Sequence, residues 1–173
     1  CSIFAVSALT SCKKGNESGK PITEYAPYEA TLGGESATHK NSSVKTGDFI
    51  VKDGKTSYQI LYPKNASNTV STAVDELKIF FQEATDITLT AVSDAEYEAN
   101  GSYLSVGETA LFKASGLTVD KNLLGRQGAQ VRTKNKSVFM CGASDLGTLY
   151  SVYEFLRSAF GYEFYTEDCY DLT

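Results

Sequence analysis

The chain has a single histidine, no tryptophan and no Cys-x-x-Cys pair. With His39 alone, neither a catalytic histidine dyad nor a multi-histidine metal site can be assembled. The 4 cysteines lack zinc-ligand spacing, so a cysteine zinc site is excluded. Basic residues form no concentrated patch and the net charge is −5, which excludes nucleic acid as a partner, because a phosphate backbone needs a basic footprint. The apolar opening, residues 1–12, is shorter than the roughly 18–20 residues of a spanning helix. Carboxylates are plentiful, among them Glu96, Glu98, Glu108, Glu154, Glu163, Glu167 and Asp168. None has the arrangement of a glycosidase pair, so no catalytic residue is assigned. No cofactor is expected.

What is present suits one ordinary domain: 173 residues, 42% hydrophobic, enough to bury a core. The opening "CSIFAVSALTSC" reads as the apolar region of a signal peptide. Its end, Leu9-Thr10-Ser11-Cys12, resembles a bacterial lipobox, in which the cysteine is lipidated and becomes the mature N-terminus. Cys12 is the expected anchor, and the protein is expected to be exported and held at the cell envelope through membrane lipid. No initiator Met or basic segment precedes the apolar run, so the chain is expected to be clipped at its front. Residues 13–46 are polar, aperiodic and tether-like. Residues 47–168 carry the folded domain, and 169–173 begin a linker. In a lipoprotein the Asn65 and Asn100 sequons are chance occurrences.

Within the domain, Asp53-Gly54 is a hairpin signal between two strand-like runs. In the second run Tyr58, Ile60 and Tyr62 alternate with Gln59 and Leu61. Val70, Ala73, Val74, Leu77, Phe81 and Ala84 keep helical spacing, with Asn68 or Thr69 as cap. Short strands follow at 87–92 and 103–106. A second hairpin turns at Lys134-Asn135-Lys136, bringing Ala129 and Val131 opposite Val138 and Met140. A closing helix spans Asp145–Phe160, Gly161 is its left-handed cap, and a last strand holds Phe164. The predicted fold is α+β, a mostly antiparallel sheet with two helices packed on one face.

The turn Gly142–Gly147 has no lysine after it and places Asp145 in the first helical turn, which repels phosphate. Ser144 is therefore expected to cap the helix and Gly147 to pack closely. "GRQG" at 125–128 leads into a strand, unlike the helix-joining clamp of KH domains. Cys141 reads as a buried hydrophobe; a Cys141–Cys169 bridge stays open. With 11 Tyr and 9 Phe the chain is aromatic-rich, which serves packing first and sugar stacking second. The closing helix carries one apolar stripe at Leu146, Leu149, Tyr150, Tyr153, Leu156 and Phe160. A second, at Val152, Phe155 and Ala159, is expected to dock another domain.

The segments "DGKTSYQILYPKNASNTVSTAVDELKIFFQEATDITL", "YLSVGET" and "VFMCGASDLGTLYSVYEFLRSAFGYEFYTED" resemble the domain that precedes the catalytic barrel of family 67 α-glucuronidases. The same module is similar to the second domain of family 20 β-hexosaminidases. The resemblance implies a non-catalytic accessory domain whose partner is a downstream barrel of the same protein, with carbohydrate as a second candidate partner. A free-standing surface lipoprotein that binds glycan or protein is the alternative.

Overall fold

The computed structural model describes residues 48–166 and 169–172. Cys12, His39, the tether, Glu167 and Asp168 lie outside the described residues.

Strand β1 is Tyr58–Tyr62. Ile60 and Leu61 are neighbours that point to opposite faces, yet both are fully buried. A strand covered on both faces is typical of a parallel sheet. Helix α1, Asn68–Thr85, buries Val70, Ala73, Val74, Leu77 and Phe81 as the period demands. Its cap is Ser67 rather than Asn68 or Thr69; Ser67 Oγ accepts from Val70 N at 3.3 Å. The helix returns the chain to the end from which β1 started, so β2, Ala91–Ser93, pairs parallel with β1. Strand β3, Ser102–Val106, pairs parallel on the other side of β1. Two short helices, α2 (Ala110–Ala114) and α3 (Lys121–Leu124), then lead to β4, Ala129–Lys134, and β5, Ser137–Gly142. Asn135 and Lys136, at φ 49° and 58°, make the tight turn between them. Helix α4 spans Asp145–Phe160 and ends on left-handed Gly161, φ 63°. Strands β6, Glu163–Thr166, and β7, Cys169–Asp171, form a separate ribbon.

The main sheet has order β2-β1-β3-β5-β4, and only β4 runs antiparallel to its neighbour. The expectation of a mostly antiparallel sheet is thus corrected to a mixed α/β layer with a mostly parallel sheet. Crossovers, not hairpins, join β1, β2 and β3. The Asp53-Gly54 turn closes only an isolated bridge between Lys52 and Lys55.

Helices α1 and α4 do share one face, as expected. Ile60, Leu104, Val106, Val138 and Met140 of the sheet join Leu77 and Phe81 of α1 and Phe155 and Leu156 of α4 in one core. The alternate residues Phe139 and Cys141 point to the other face and meet Phe112 of α2. Cys141 donates its thiol to the Gly107 carbonyl at 3.1 Å, and burial, aided by the charge of Glu108, pushes its pKa up to about 12. Cys141 is free, which removes the Cys141–Cys169 bridge left open by the sequence.

Candidate functional site on the closing helix

The glycine turn ahead of α4 is a packing device. Ser144 Oγ accepts from Gly147 N at 3.2 Å and donates to the Arg126 carbonyl at 2.6 Å. Ala143 N donates to the Gly128 carbonyl at 3.2 Å. A Cβ on Gly147 would fall 2.5 Å from that same carbonyl oxygen, and one on Gly142 would collide with the backbone of Gly147 and Thr148. Protein carbonyls and the Ser144 hydroxyl thus fill the position where an anion would meet the helix start. The "GRQG" loop is the lid of this contact.

The other place where a parallel sheet receives ligands is the crevice beyond the strand ends, where the chain order reverses. Here that lies beside β1 and β3, where Asp94 cross-links the loops. Asp94 accepts from Lys64 N at 2.7 Å and Ala110 N at 2.8 Å, tying the loops after β1, β2 and β3 together. A Cβ on Gly107 would lie 3.5 Å from Pro63 and 3.8 Å from Thr148. Among the described residues no group of three His, Cys, Asp or Glu is arranged to hold a metal, and no helix is long and apolar enough to cross a membrane.

Helix α4 shows which of its sides is free. Val152 is 0% exposed and Phe155 4%, and both lie in the core with α1 and the sheet. Docking through these two residues is therefore corrected; only Ala159 of the expected stripe is exposed. The stripe read as core includes Leu146 and Tyr150, which are exposed, while Leu156 remains buried. The cause is hydroxyl chemistry. Ser151 Oγ donates to the Thr148 carbonyl at 2.6 Å, and Thr148 Oγ1 donates to the Ser144 carbonyl at 3.1 Å. A hydroxyl that bonds back to its own helix can be buried, so the buried face includes Thr148 and Ser151.

The free side of α4 forms one wall of an open groove of about 560 Å³, closed on the other wall by the Gly161–Phe164 segment. Tyr153 and Tyr162, both in its lining, stack on each other with ring centres 5.9 Å apart and 15° from parallel. Tyr150 and Phe164, the latter 62% exposed, stand at its edges. Phe80 of α1 supports Tyr162 from behind at 4.6 Å, and Tyr170 of β7 joins them at 5.3 Å from Phe80. Burial, then the nearby Glu76 charge, pushes the Tyr153 phenol up to about 12. Glu76 is itself raised, chiefly by burial, although its hydrogen bond with Tyr153 opposes the shift. Tyr170 is raised chiefly through its hydrogen bond to Glu83; its hydroxyl lies 2.9 Å from each Glu83 oxygen.

Two carboxylates reach the groove, and each is engaged. Glu154 holds Arg157 through two bonds of 2.7 and 2.9 Å, and Glu163 accepts from Tyr165 at 3.0 Å. Glu154 is thus tied to Arg157 on its own helix, and Glu163 to Tyr165 within the closing ribbon. The groove's lining lies within residues 150–164, on α4 and the segment after it, and takes shape only where the chain turns back at Gly161. The density of rings in "YSVYEF" and "GYEFY" was the available signal.

A search among curated proteins returned no match. A family model does match: the one described as Glycosyl hydrolase family 67 N-terminus covers residues 51–155, from the approach to β1 into the last turns of α4. That span contains the whole five-stranded sheet, all of α1 and α4 as far as Phe155, and the chain belongs to this family of glycoside-hydrolase-associated, non-catalytic domains.

Proposed function

We propose that this domain is the accessory module of a lipid-anchored, exported carbohydrate-active protein and packs there against a catalytic barrel. The observation that carries the reading is the family match over residues 51–155. The glycine turn supports it, because the start of α4 is taken up by packing against the Gly125–Gly128 loop. The aromatic groove favours a second reading, a surface lipoprotein that binds glycan directly.

In both readings Cys12 carries the anchor, and the polar run that follows it gives reach from the membrane. Each buried CH₂ contributes about 0.8 kcal/mol, so stable attachment takes more than one acyl chain. In cells expressing the precursor, Cys12→Ala is expected to move the protein from the membrane to the soluble fraction. Unchanged membrane retention contradicts the anchor.

A further inference from the structure

We propose that the groove between α4 and the Gly161–Phe164 segment binds a neutral oligosaccharide. Its size falls within the roughly 300–1,000 Å³ of small-ligand clefts. Its lining combines accessible aromatic rings, Phe164 and Tyr150 exposed and Tyr153 half-buried, with the polar groups of Glu154, Arg157 and Glu163. Tyr162 stacks on Tyr153 and holds it from within, while Phe164 and Tyr150 offer the exposed ring surface. Flat ring faces carry partial negative charge and attract the C–H face of a pyranose. The side groups complement hydroxyls in both senses: the Arg157 guanidinium donates, and the carboxylates of Glu154 and Glu163 accept.

Charge narrows the ligand class. The groove holds the carboxylates of Glu154 and Glu163 against the one guanidinium of Arg157. Arg157 is already spanned by Glu154 and also feels the charge of Glu163. A sugar acid entering here would meet net negative charge, whereas a neutral sugar meets balanced donors and acceptors. The choice of a saccharide over another flat polyol rests on the glycoside-hydrolase setting proposed above; the groove chemistry does not.

The test is titration calorimetry of the full 173-residue chain with xylohexaose, cellohexaose and an oligogalacturonate of equal length. Binding of at least one neutral hexasaccharide is expected, with at least 10-fold weaker binding of the oligogalacturonate. Phe164→Ala and Tyr150→Ala are expected to weaken binding at least 5-fold while leaving the unfolding midpoint in place, since both side chains are exposed. Absence of heat with both neutral sugars, tighter binding of the acid, or binding indifferent to both substitutions each overturns the proposal. Phe164→Ala that leaves sugar binding intact but releases a protein domain from the parent marks a protein-docking surface and overturns it too. Hydrolysis by the chain is a separate assay, so failure here leaves the accessory-domain reading standing.

Discussion

Gly142→Ala is expected to destabilise the domain by about 3 kcal/mol or more, at or above the upper end of the usual cost of overpacking. The added methyl would meet not a yielding side chain but the backbone of Gly147 and Thr148 at the start of α4. To make room, α4 must lift from β5, and Val152, Phe155 and Leu156 would lift with it. Gly147→Ala meets the Gly128 carbonyl and is expected to act in the same direction. Gly116→Ala is the control. That glycine has left-handed φ of 72° and open space around it, so it loses only the roughly 1–2 kcal/mol of backbone strain. Urea unfolding of the three variants measures the order. A Gly142→Ala midpoint no lower than that of Gly116→Ala contradicts the interlocked turn.

The second large effect concerns the helix itself. Phe155→Ala is expected to cost roughly 3–5 kcal/mol, the usual range for truncating a buried phenylalanine. Phe155 is 4% exposed and meets Phe160 edge-on at 6.1 Å, while Phe160 meets Phe81 of α1 at 5.4 Å. Its loss opens a cavity where α1, α4 and the sheet converge. Ala159→Ser, on the exposed side, is expected to stay within about 0.5 kcal/mol of the unaltered protein. Thermal unfolding separates the two. If Phe155→Ala melts with Ala159→Ser, Phe155 lies on a surface and the assigned face of α4 is wrong.

These two residues also show how far the sequence could be read. Features fixed by neighbours along the chain were legible: the stripe from Val70 to Phe81, the extent of α4, the cap at Gly161 and the tight turn at Asn135 and Lys136. Each is decided within a few residues by helical spacing or by backbone conformation. Strand direction was not legible in that way, because it depends on what lies between strands. The relevant clue was Leu61, buried on the face opposite Ile60; an alternating strand with one wet face would not place it there. The face of α4 failed for a different reason. The helix is apolar nearly all round, so period alone cannot choose a side, and the hydroxyls of Thr148 and Ser151 look like surface while being satisfied within the helix. The groove was hidden for a local reason: its lining at 150–164 faces one side only once the left-handed Gly161 turns the chain back along α4.

The proposed accessory role is that of a domain that positions a partner and carries out no hydrolysis itself. Hydrolysis of aryl glucuronides and aryl hexosaminides by the purified chain is the measurement that bears on this. No turnover above the buffer rate is expected, and Glu154→Gln and Glu163→Gln should leave that baseline unchanged. Turnover that survives rigorous purification and disappears on substituting a single Asp or Glu would show that the domain is itself an enzyme.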